Sequence, residues 1–159
     1  MIANTAISNR SPTATVSRST SLFGMLNPWI AAGLGLILAA NGLAMLFAGL
    51  WWYGAVPGVT ATGPYNPHFV RDIGAAYLVA GGALSAYAAW PQEAWSGLAA
   101  AAGFLTLHAA VHVYDAVCGT HPFADVLRDA GGVYLPAALA LWLAVRPISK
   151  ESPHAEVAA

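Results

Sequence analysis

The chain has 159 residues, of which 58 % are hydrophobic and 8 % charged, and its net charge is −1. A soluble domain carries about 25 % charged residues, so this composition excludes an ordinary water-soluble fold, and without a basic cluster nothing suits nucleic acid. One cysteine, Cys118, excludes an intrachain disulfide.

Residues 1–27 are rich in Ser, Thr, Asn and Ala, with Arg10 and Arg18 and no acid. This composition predicts a disordered cytoplasmic tail, and an organelle transit peptide is the alternative it allows. It does not fit a cleaved secretory signal, because the apolar run that follows is too long and has no small-residue cleavage site.

Four apolar helices are predicted over residues 28–146, and a span of about 20 residues crosses a hydrocarbon core of roughly 30 Å. The first runs from about Trp29 to Tyr53. Its Gly33, Gly35, Ala39, Ala40, Gly42 and Gly49 provide small surfaces for close packing, and Asn41 near its middle reads as an interhelical hydrogen-bond partner. The loop Gly54 to Asn66 is broken by Pro57, Gly58, Gly63 and Pro64. Asn66-Pro67 then reads as an N-cap followed by proline at the first helical position. The second helix ends near Trp90 before Pro91, and the third covers about Ala94 to Val117. After a loop from Cys118 to Pro122, the fourth ends near Val145. Residues 147–159 form a polar cytoplasmic tail.

Aromatic residues mark two interfaces, with Trp29, Trp90, Trp95 and Trp142 on one and Trp51, Trp52, Tyr53, Tyr65 and Tyr114 on the other. Arg10, Arg18, Arg146 and Lys150 flank the first, which places both termini in the cytoplasm, as in a bacterial inner-membrane protein. An internal repeat is also visible. His68-Phe-Val-Arg-Asp-Ile-Gly-Ala-Ala-Tyr-Leu78 aligns without gaps on Asp125-Val-Leu-Arg-Asp-Ala-Gly-Gly-Val-Tyr-Leu135. The expected fold is therefore an all-α four-helix transmembrane bundle of two parallel helix-pair repeats.

All histidines except His154 collect toward one membrane face. His108, His112 and Asp115 stand at i, i+4 and i+7, one stripe of a helix. Such groups are costly inside a membrane helix and so mark a candidate site. Arg71 and Arg128 fall in first helical turns, where the macrodipole disfavours cations. They therefore need partners, and Asp72, Asp115, Asp125 and Asp129 would complete a polar network. The histidine stripe is open to two readings. One is a satisfied polar network. The other is a metal centre of His108, His112, Asp115 and His68, with Cys118 and His121 as additional ligands, suited to copper or zinc. Haem fits less well, since two axial histidines must come from opposing helices. Spacings for Ser-His-Asp catalysis and phosphate loops are absent.

The motifs Asn-Pro-His-Phe-Val-Arg-Asp at 66–72, His-Ala-Ala-Val-His-Val-Tyr-Asp at 108–115 and Leu-Arg-Asp-Ala-Gly-Gly-Val-Tyr-Leu-Pro at 127–136 resemble those of small bacterial four-helix membrane proteins of the DoxX-like type. That resemblance implies association with membrane redox systems and assigns no functional residue. Three expectations follow: a metal-binding or redox-associated membrane protein, a non-catalytic accessory subunit in a homo-oligomer or larger membrane complex, and a small transporter or proton pathway. In each the bilayer is the first partner.

Overall fold

The computed structural model describes residues 22–118 and 123–146, which are helical with short connections and contain no strand. In chain order they form α1 (Leu22–Phe47), α2 (Gly49–Ala55), a 3₁₀ turn (Val59–Thr62), α3 (Pro67–Ala89), α4 (Trp95–Val117), α5 (Phe123–Asp129), a π turn (Ala130–Tyr134) and α6 (Leu135–Ala144). Residues 1–21 and 147–159, which hold Arg10, Arg18, Lys150 and most of the two expected tails, lie outside the described residues, as does His121.

Three stretches are long and apolar enough to cross a membrane: Leu26–Phe47, Trp95–Val117 and Val126–Ala144. The bundle turns Leu36, Ile37, Phe47, Val79, Leu107, Val111 and Leu141 outward, while no polar or charged residue among those described is buried. That inversion suits lipid rather than water. The expected second span, α3, is not among the three. Arg71 and Asp72 and a run rich in Ala, Gly, Ser and Tyr lower its hydropathy. It packs on α1 along one side and on α4 along the other.

The α1–α3 seam is the tightest in the molecule. Gly35 and Gly42 on α1 are seven residues apart, as are Gly74 and Gly81 on α3, and the two pairs meet in antiparallel order. A Cβ on Gly81 would lie 2.6 Å from the Gly35 carbonyl oxygen, and one on Gly42 would lie 2.6 Å from that of Gly74. The backbones are thus in contact, which is how small residues let membrane helices associate by dispersion. α4 then packs on α3 and α6 on α4, whereas α6 and α1 touch only sparsely. Leu84, Leu98 and Leu143 fill the centre.

Two helices depart from the continuous rods expected. The first apolar segment begins earlier, at Leu22, and bends at Ala48 (φ −131°, ψ 35°) into α2. A straight continuation would separate residues 41 and 52 by about 16 Å along the axis. With the bend, Trp52 Nε1 donates to Asn41 Oδ1 at 2.8 Å. Asn41 thus bonds within the first expected segment, across the bend from α1 to α2, rather than to another of the four expected helices. The last segment is interrupted by the π turn, in which Leu135 N–H reaches back to the Ala130 carbonyl. Pro136 stands at the start of α6. It has no N–H for the Gly132 carbonyl and its ring would collide there, so the ladder slips by one residue across Gly131-Gly132.

At the start of α3, Asn66 Oδ1 accepts from His68 N–H and Phe69 N–H, both at 3.1 Å, with Pro67 following. At the other end of the bundle, Trp95 Nε1 donates to the Ala144 carbonyl at 3.2 Å and so caps α6 from α4.

Candidate functional site

The periodicity of α4 lines Phe104, His108 and His112 along one face. The rings of His108 and His112 stand 4.8 Å apart at 68°, and Phe104 stacks on His108 at 6.1 Å and 24°. From α3, Tyr77 meets both Phe104 and His108 edge-on, at 5.5 and 5.7 Å. Quadrupolar rings favour such tilted contacts. Phe104 and Tyr77 therefore form an apolar floor beneath the histidines.

Above that floor the site becomes ionic. His112 Nδ1 lies 2.8 Å from Asp129 Oδ2, with the two side chains 29 % and 14 % exposed, sheltered enough for the pair to count. Asp129 Oδ1 accepts from Arg128 Nε at 3.2 Å. Both carboxylate oxygens are thus engaged, one by α4 and one by the neighbouring residue. In the neutral tautomer whose Nδ1–H donates to Asp129, the lone pair of His112 is on Nε2. The π turn begins at the residue after Asp129 and so fixes the angle at which this carboxylate meets α4.

Arg128 also reaches across to the loop after α2. Its guanidinium lies against Gly58, where a Cβ would collide with it, and Gly58 has a left-handed backbone at φ +86° that favours glycine in any case. The loop is tied down further by Tyr53, whose hydroxyl donates to the Gly63 carbonyl, and by the Tyr53–Tyr65 ring contact at 5.4 Å.

The sequence-predicted residues divide accordingly. His108 and His112 come together as the spacing required, and Arg128 and Asp129 join them. Asp115 is partly buried on the same helix and is itself engaged. His68, by contrast, pairs with Asp72 at 3.4 Å on the solvent side of α3, with 88 % and 61 % of the two side chains exposed. Arg71 and Cys118 are exposed. The side chain of Asp125, like all of His121, lies outside the described residues. Among the described residues, no three His, Cys, Asp or Glu side chains are grouped closely enough to hold a metal ion.

Sequence reasoning missed Tyr77, Phe104, Gly58 and Tyr134, whose hydroxyl is buried without a hydrogen-bond partner. Phe104 carried a signal in its i−4 position before His108, Tyr77 and Tyr134 only in their matched places in the repeat, and Gly58 only as a loop breaker. In comparisons with known proteins, the chain matches no family model, no curated protein and no solved structure.

Proposed function

We propose that this is a small integral membrane protein with a site open to one face of the membrane, and that the site takes copper or zinc in a membrane redox setting. The observation that carries the proposal is the His112–Asp129 bond. Ligating histidines commonly donate their second ring N–H to a carboxylate, which fixes the tautomer and turns the other nitrogen toward the metal. His112 Nε2 and the adjacent His108 would be the protein donors, with Asp129 orienting and Arg128 holding Asp129. Two imidazoles do not complete a zinc or copper shell, so water or donors beyond the described residues would supply the rest. The positive-inside distribution of Arg and Lys supports cytoplasmic termini and an extracytoplasmic site in a bacterial inner membrane, and α3 would be its fourth span. The DoxX-like relationship belongs to the same proposal and stands on the sequence motifs alone.

Metal analysis of the purified wild type against His108→Ala plus His112→Ala tests it. Stoichiometric copper or zinc in the wild type, lost in the double variant and reduced in Asp129→Ala, is the expected result. Equal substoichiometric metal in all three would end the metal reading.

One observation favours a second reading, a polar clasp in an accessory subunit of a membrane complex. Both Asp129 oxygens and His112 Nδ1 are already satisfied within the chain. Copurification with a larger assembly, unchanged by the histidine substitutions, would support it. A transmembrane proton or solute path is less well supported, because the apolar side chains of Phe104, Leu105, Ala101 and Leu98 continue α4 below His108.

A further inference from the structure

At the opposite end of the bundle, where α1 and α6 touch only sparsely, an open cleft of about 390 Å³ is lined by Leu26, Ile30, Ala138, Leu139 and Trp142. Its volume falls at the lower end of the range of about 300–1,000 Å³ typical of ligand sites. Every lining side chain is apolar, so the cleft offers nothing to hydrogen-bond a polar molecule and suits a hydrocarbon chain.

The second observation is electrostatic. Arg146 follows the last turn of α6, and its guanidinium sits 3.9 Å from the centroid of the Trp142 ring, a wall of the cleft. Stacking on the indole holds the cation in place. Among the described residues Arg146 has no carboxylate partner, and no acidic residue lies in α1 or α6. Trp29, on the turn of α1 that carries Leu26 and Ile30, is 77 % exposed, as an interfacial ring at headgroup depth would be. An apolar slot thus ends at a fixed positive charge at the level of the membrane interface.

We infer that this cleft binds an anionic phospholipid, with one acyl chain between α1 and α6 and the phosphate on Arg146. The inference rests on the membrane reading but not on the imidazole site, so the two can fail separately.

The test uses the full chain purified in a neutral detergent and titrated with dioleoyl-phosphatidylglycerol or dioleoyl-phosphatidylcholine, read by native mass spectrometry and by the thermal midpoint. The wild type should retain the anionic lipid about fivefold better, the discrimination one basic side chain supplies at an anionic surface. Arg146→Gln, beyond the end of α6 and outside the core, should remove the preference. Ala138→Phe, on an exposed position of α6, should fill the cleft and lower retention of both lipids. His108→Ala plus His112→Ala should leave the preference intact. Equal retention by the wild type, a preference that survives Arg146→Gln, or lipid-free dimers that occlude the cleft would each overturn the inference. Should Ala138→Phe not fold, Arg146→Gln still decides.

Discussion

The α1–α3 seam and the junction of α4 with α5 and α6 are built from similar sequence and work differently. Arg-Asp-x-Gly-x-x-Tyr-Leu occurs at 71–78 and again at 128–135. In the first copy Gly74 is pressed against α1, where an added Cβ would lie 2.7 Å from Met45 Cβ. In the second, a Cβ on Gly131 would meet nothing within 4 Å. Asp72 pairs locally with His68 in the open, whereas Asp129 pairs across helices with a sheltered His112. Tyr77 is buried against His108, while the Tyr134 hydroxyl is buried unpartnered. One motif serves dispersion packing and the other an ionic contact, and the neighbour each faces makes the difference.

The sharpest way to break this contrast is at the glycines. Gly81→Val should be the most damaging change, because its side chain would be driven into the α1 backbone and overpacking of this kind costs about 1–3 kcal/mol or more. Gly131→Ala should be neutral or stabilising by a few tenths of a kcal/mol, since the space is open and alanine restricts the unfolded chain. Unfolding midpoints of the two variants in one detergent measure the difference. Similar losses at both sites would dissolve the distinction between the seams.

Next come the aspartates. Asp129→Ala leaves His112 without its acceptor in a partly sheltered place and should cost about 1–3 kcal/mol. Asp72→Ala removes only an exposed pair and should stay within about 0.5 kcal/mol. Equal effects in chemical unfolding would mean that the cross-helix bond adds nothing over the surface one.

A smaller effect than that of Asp129→Ala is expected at the π turn. Pro136→Ala restores the missing N–H and should let the slipped turn revert to α-helical bonding, turning Asp129 away from α4. The change should appear in the ¹⁵N resonances of His112, and the unfolding midpoint should fall by less than in Asp129→Ala, because the same contact is lost while a backbone hydrogen bond is regained. An unaltered His112 signal would show that the proline does not set the register.

What the sequence revealed was periodic or local. The apolar spans, the Asn66-Pro67 start of α3 and the His108–His112 stripe each depend on residues a few positions apart, and so does the polar role of Asn41 in an apolar stretch. The aromatic floor, the partner of Asp129 and the contact of Arg128 with Gly58 depend on residues tens of positions apart, and no spacing rule reaches that far. The π turn lies between the two cases. Gly131, Gly132 and Pro136 were visible, yet a proline shortly after a helix start is usually harmless, so the slip became apparent only once the backbone was in place. His68 is expected with the α4 histidines from its place in the sequence, and the fold gives it a closer partner in Asp72.

The ring of Phe104 set under His108, with Tyr77 closing its edge, has a consequence for a cell that stores energy as a proton gradient. A charge moved through a membrane held at 100 mV exchanges about 2.3 kcal/mol with the field. Imidazoles and carboxylates hung on one helix could become a wire that drains such a gradient. In a membrane so energised, Phe104 and Tyr77 would be the layer that stands between these imidazoles and the apolar turns of Leu105 and Ala101.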